Sequence, residues 1–386
     1  MTANRDLFDE SVRHQVAVRR FAAGLAAALL AILETADRKL SSFLREKLSA
    51  MAGVDIRSPR WKGLFESLGK SRKAIIVQVQ DQLLEDLRGL SGVEVAAEVA
   101  LLVKTIPFDV KVAAANLKEA WSATAAKPFA GGFFKDWFKA LAEQDRRGIQ
   151  SAIQMGITQG EPVPDIMRRI SGSKANLFRD GTLAATRRKL EAVVRTAVNH
   201  VSNEAREAVW EANTDIIAAL RWTSVLDGRT TPICRSRDGK LAPIGGNPLP
   251  EWGDPLVPST ARPPAHWNCR SVMTAVIDGE GALGPRPFVR DTRTPRAREV
   301  DFRAEARRTG RPIQEIRSEW ADVNIGQAPG KMTYGDWLRG QPEKFQNEVL
   351  GKRRADLFRS GSVTIEQFTD PTGKTLTLKQ LEDLLP

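Results

Sequence analysis

The clearest periodicity lies in the middle of the chain, where Leu190, Val194, Ala197, Val201, Ala205 and Ala208 recur at steps of three and four residues. That spacing puts them on one face of a helix. Upstream, Leu7 to about Ala126 is rich in Ala, Leu and Lys and poor in Gly, and Glu94–Lys104 carries helical apolar spacing, so this half is expected to be helical. Pro107, Lys127-Pro128 and Gly131-Gly132 should break it into pieces. A helix is expected over Trp137–Gly160 and a short one over Asp165–Ile170, separated by Glu161-Pro162-Val163-Pro164. The period then changes: Leu220 and Trp222 alternate with polar neighbours, Asp227-Gly228 reads as a turn, and Val272–Ile277 is β-prone. Pairing of these two runs would enclose a loop-rich stretch.

The pattern predicts an α+β, predominantly α-helical protein. A helical N-terminal region (1–126) leads to a core (127–280) with a small β-sheet and a loop-rich Cys/His motif on the long helix. A basic linker or arm (281–330) and a small, mainly helical C-terminal unit (331–386) follow. In that last unit Thr333 with Asp336, Thr364 with Gln367 and Thr377 with Gln380 have capping-box spacing. Phe129, Phe133, Phe134, Trp137 and Phe138 cluster around the glycine pair, and such a cluster is more often core than docking patch.

Composition changes the picture modestly. At 386 residues, 42% apolar and 27% charged, the chain can bury several cores without disulfides or metal. Its net charge of +11 favours a polyanionic partner. Nine arginines (Arg286, Arg290, Arg293, Arg296, Arg298, Arg303, Arg307, Arg308 and Arg311) against four acids concentrate that excess in the arm, making it the candidate DNA contact. The longest apolar run, Phe21–Leu33, is too short for a bilayer span, so no transmembrane segment is expected. Two cysteines in the whole chain suit a reducing cytosol.

The chemistry-bearing residues gather between Asp227 and Arg270. Asp227, Arg229, Thr230, Pro232 and Cys234 form one block, Asp238-Gly239 a turn, and Pro264, His266, Asn268, Cys269 and Arg270 a second block. This ordered set resembles the signature of the phage Mu F-like minor head proteins, a phage head morphogenesis family. Gln150–Ile170, the helix bearing Arg195 and Asn199, the Trp222 strand and Tyr334–Gly361 extend the resemblance. Members of that family commonly carry further cysteines where Thr231 and Ser271 stand here.

Cys234, His266 and Cys269 are good zinc-ligand types, with Asp227 or Asp238 as an oxygen fourth. Two other readings stand beside zinc: small buried groups with His266 hydrogen-bonded to its own loop, or a Cys234–Cys269 disulfide. Arg229 and Arg270 are suited to knitting loops together, and Asp227 and Asp238, each before a glycine, to capping turns. The three histidines, His14, His200 and His266, fit no zinc-hydrolase or deaminase pattern, and neither a nucleophile elbow nor a phosphate loop occurs, so no enzyme is expected. The resemblance implies a virion protein inside the capsid near the portal. Its implied partners are the portal protein, other head or scaffold proteins and packaged double-stranded DNA, with a homo-oligomer as a further option. The alternative is a sequence-independent nucleic-acid-binding protein or, further off, a toxin or transferase module fused to a phage head domain.

Overall fold

The computed structural model describes residues 3–106, 111–277 and 283–384. Its frame is a pair of long helices, α1 (Ala3–Ala50) and α2 (Pro59–Thr105), each roughly 70 Å long at 1.5 Å per residue. Pro59 opens α2 where its missing N–H costs nothing. Along α1 the buried positions step by three and four from Leu7 through Val18, Leu25, Leu33 and Leu40 to Leu48, and α2 does the same from Trp61 to Leu102. The two seams meet antiparallel: Leu7 shares a core with Leu102, and Leu48 shares one with Trp61. By length and composition alone α1 is long and apolar enough to cross a membrane, a test that a packed core helix also passes. In this fold, however, Leu25, Leu29 and Leu33 pack against other helices.

Three short or medium helices follow: α3 (Leu117–Ala126), α4 (Phe134–Thr158) and α5 (Val163–Ser171). The fourth, α6 (Thr182–Glu211), extends the expected helix at both ends and buries 20 of its 30 residues. Together α1, α2, α4 and α6 form a bundle whose shared core includes Leu29, Leu83, Leu141 and Val194. Of the aromatic cluster, Phe129, Phe134 and Phe138 are core, Trp137 is half-buried and only Phe133 is exposed. The break expected at Pro107 lies outside the described residues.

Next come β1 (Ile217–Thr223), β2 (Leu226–Asp227), α7 (Pro232–Arg237), β3 (Leu241–Ala242) and β4 (Val272–Ile277). The expected strand pairing forms: β1 lies between β3 and β4, antiparallel to both, with Trp222 opposite Met273. The first turn of α1 holds the far end of this sheet. Asn4 Nδ2 donates to the Ile277 carbonyl at 3.0 Å, and Asn4 Oδ1 accepts from the Ile277 N–H at 2.8 Å.

The described part of the basic stretch is not an extended arm. It folds as β5 (Arg286–Val289), α8 (Pro295–Thr309), α9 (Ile313–Asn324) and β6 (Ile325–Ala328). A second sheet runs β2-β5-β6, with β5 parallel to β2 and antiparallel to β6. Pro295 did not signal a linker: it sits in the first turn of α8, and Thr294 accepts from the Ala297 N–H as its N-cap. The chain ends in α10 (Tyr334–Arg339), α11 (Glu343–Leu350), α12 (Lys352–Arg359), a 3-10 turn at Glu366–Phe368 and α13 (Leu378–Glu382). Capping boxes form at Thr333 and Thr377 as expected, whereas Thr364 leads only into the 3-10 turn.

A Cys-His cluster framed by arginines

Polar residues on the buried face of α6 set the second motif block in place. Thr196 Oγ1 accepts from the Asn268 N–H at 2.9 Å, and Asn199 Nδ2 donates to the carbonyls of Cys269 (2.9 Å) and Ser271 (3.2 Å). Asn203 Oδ1 then takes the Met273 N–H at 3.0 Å as β4 begins. Between these anchors Asn268 adopts a left-handed φ of 57°, a conformation asparagine tolerates better than most residues. The first block is held by α7, which opens on Pro232 and presents Cys234 inward, and by Ser224, whose hydroxyl donates to the Cys234 carbonyl at 2.7 Å.

These supports bring Cys234, His266 and Cys269 together, their ligand atoms all within 4.8 Å of one another. The two sulfurs are 3.7 Å apart and free, so the disulfide reading is not realised. Cys234 Sγ lies 3.2 Å from His266 Nε2. A tetrahedral zinc with Zn–S bonds of about 2.3 Å would hold two sulfurs about 3.8 Å apart, so the sulfur pair is already spaced for the ion, with the His266 nitrogen beside it. With a proton on Nδ1 donated to the Trp267 carbonyl at 2.9 Å, Nε2 becomes the lone-pair nitrogen facing the sulfurs, the tautomer a metal ligand needs. The hydrogen bond with Cys234, and then that with His266, hold the Cys269 thiol well below its ordinary pKa against the opposing effect of burial. The Cys269 sulfur and burial push Cys234 well above its own.

Neither aspartate is free to be the fourth ligand. Asp227 receives a bidentate Arg270, the Arg229 N–H at 3.0 Å and the Thr230 hydroxyl at 3.2 Å. Burial works against its charge, but Arg270 and Arg229 together keep the carboxyl below its usual range. Asp238 accepts from the Ser224 N–H and the Tyr334 N–H, both at 2.7 Å, and from both terminal nitrogens of Arg286 at 3.0 Å. The Thr231 hydroxyl, 2.8 Å from His266 Nε2, is an oxygen that does reach the cluster. Gly239 closes the turn after Asp238 at a φ of 85°, its N–H on the Trp222 carbonyl, where a side chain would be strained.

The nine arginines of the basic stretch divide. Arg286 is 4% exposed and bound to Asp238, which removes it as a DNA contact. Arg290 donates to Gln341, Arg293 pairs with Asp291 and Asp301, and Arg298 lies over the Trp320 ring at 4.4 Å. Arg303, Arg308 and Arg311 pair with Glu299, Glu305 and Glu319 on the surface. Arg296 and Arg307 are exposed and unpaired among the described residues.

Sequence reasoning missed Ser224, Tyr334 and the roles of Thr196 and Asn203. The signal available was the placement of Thr196, Asn199 and Asn203 three and four residues apart on an otherwise apolar helix face. Tyr334, the chain's only tyrosine, donates its hydroxyl to the Asp227 carbonyl at 2.8 Å and so ties the C-terminal unit to the first motif block.

No curated protein and no solved structure matches the chain. A family model does: the one described as phage Mu protein F like protein matches residues 147–274, from within α4 to within β4, and covers the Asp227–Arg270 blocks entire. The chain thus carries, over residues 147–274, a domain similar to phage Mu protein F.

Proposed function

We propose that this chain is a minor head component of a tailed phage or prophage, made in the bacterial cytoplasm and built into the virion on the inner side of the capsid near the portal. Its work is structural, in head assembly and in handling packaged DNA, and not enzymatic. The observation that carries this reading is the family match over 147–274, within which the motif side chains hold backbone segments together. The long α1–α2 pair offers the reach, and the C-terminal unit a second surface, for docking on the portal and other head proteins. A structural zinc at Cys234, His266 and Cys269 would lock the two motif blocks to each other.

The test is co-purification of the tagged chain with the portal protein encoded beside it, with elemental analysis of the same sample. Stable association and about one zinc per chain are expected. Failure of two folded proteins to associate would promote the free nucleic-acid-binding reading. A zinc-free complex would remove the metal while leaving the assembly role.

DNA contact, if made by α8, acts through phosphate neutralisation and is indifferent to sequence. Surface ion pairs are weak, so Arg303 and Arg308 can exchange their glutamates for phosphates. Replacing Arg303, Arg307 and Arg308 with glutamine should flatten the log–log dependence of DNA affinity on salt by about 2 to 3. An unchanged slope in a filter-binding series would exclude α8 from the DNA interface.

A further inference from the structure

Beside the Cys-His cluster lies a cavity of about 770 Å³ between α1, α6, the second motif block and the start of α8. Five arginines line it, Arg19, Arg195, Arg229, Arg270 and Arg296, against a single carboxylate, Glu191. That carboxylate is already bound to Arg195 at 2.6 Å, and Asp227, behind the wall, is shared by Arg270 and, at 3.5 Å, a terminal nitrogen of Arg229. Arg19 gives one nitrogen to the Arg270 carbonyl at 2.7 Å, which neutralises nothing. Arg296 has no partner among the described residues, and Arg229 Nε is buried without a hydrogen-bond partner. Burial and then the Arg270 charge lower the basicity of Arg19 and Arg229, Arg19 to about 10.

Crowding five guanidiniums around one concavity is unfavourable unless an anion completes it, and an unmet buried donor is costly in the same way. Guanidinium forks match the oxygens of phosphate in charge and geometry. The volume exceeds that of a bare ion and suits a nucleotide-sized ligand. Trp267, set edge-on against Trp137 with ring centres 4.6 Å apart, adds an aromatic side chain to the lining.

We propose that this cavity is a phosphate-binding site that takes a phosphorylated ligand of nucleotide size. The ligand is either a free nucleotide or the phosphate of a nucleic-acid strand, and the site stands whether or not the head-assembly reading does.

The test is calorimetric titration of the full chain in a chloride buffer with inorganic pyrophosphate, a deoxynucleoside monophosphate, and a short oligonucleotide with and without a 5′-phosphate. Binding of phosphorylated probes is expected, weakened about tenfold or more in Arg296→Gln and in Arg229→Gln. Arg296→Gln should keep the wild-type thermal midpoint, because that residue holds nothing else in place. Equal binding of the monophosphate and the oligonucleotide supports a free nucleotide as the ligand. Tighter oligonucleotide binding that depends on its 5′-phosphate supports a strand terminus, and tighter binding without that dependence a strand backbone. No binding of any phosphate probe to the folded wild-type chain would overturn the proposal, as would binding that both variants leave unchanged.

Discussion

Replacing Asp238 with alanine should lower the unfolding free energy by about 3–5 kcal/mol, the range for breaking a buried ion pair from one side. Asp238 is 3% exposed and serves three groups at once: the Ser224 N–H that follows β1, the Tyr334 N–H that opens α10, and the Arg286 guanidinium of β5. Alanine leaves two backbone donors and a buried cation unmet, and Arg286 keeps only the carbonyls of Ser224 and Met332. Because Tyr334 and Arg286 join the C-terminal unit to the core here, the variant should also expose residues 331–384 to proteases. Urea denaturation of Asp238→Ala, Arg286→Met and the double variant gives the coupling. A double variant nearer the wild type than Asp238→Ala alone confirms the clasp, and a single-variant loss under about 1 kcal/mol refutes it.

How much of this was legible in the sequence depended on whether a residue's partner was local. Helix α6 and strand β4 could be read because their spacing is set by one buried face. The meeting of Cys234, His266 and Cys269 could be anticipated because both blocks sit at the ends of paired strands. The α1 and α2 seams were harder, since Ser11, Asp37, Arg72, Glu94 and Glu98 interrupt the apolar rows, and each is accommodated by a partner on another helix. Glu98, for one, takes Arg206 Nε at 2.7 Å and Trp210 Nε1 at 2.6 Å from α6. The basic stretch misled for a related reason: arginine and proline suggest a linker, but Arg286 has Asp238 as a counter-ion 48 residues away and Arg298 has the face of Trp320. Composition carries no information about such pairings. Likewise His200 offered no sign that it stacks on Phe129, with ring centres 5.0 Å apart, in a core that lowers its pKa by burial.

The bundle's own buried network yields the second large effect. Arg72→Met should cost about 3–5 kcal/mol at neutral pH. Arg72 is 3% exposed and joins three helices, with Nε on Asp145 of α4 at 2.6 Å and a terminal nitrogen on Asp37 of α1 at 2.8 Å. From α6, Thr186 donates to Asp145 at 2.9 Å and Arg187 to Asp37. Methionine fills much of the space but strands two buried carboxylates, with one arginine and one hydroxyl between them. The pH dependence follows from Asp37. Burial raises its pKa above the usual carboxylate value despite Arg72 and Arg187, so Asp37 binds a proton more readily in the folded than in the unfolded chain. A raised carboxylate contributes stability below its unfolded pKa of about 3.9, and that contribution is lost as pH rises through the folded value. Loss of Arg72 raises that folded value further, so the deficit of Arg72→Met relative to wild type should be widest near pH 7 and shrink towards pH 4 in urea midpoints. A deficit independent of pH would mean that lost packing, and not uncompensated charge, is the cause. Replacing Asp37, Arg72 and Asp145 together with apolar residues should then recover most of the loss, because the network's desolvation cost disappears with its attraction. If the triple variant is as stable as wild type but no longer unfolds in a single cooperative step, the network fixes the register of the α1–α2 seams more than it stabilises them.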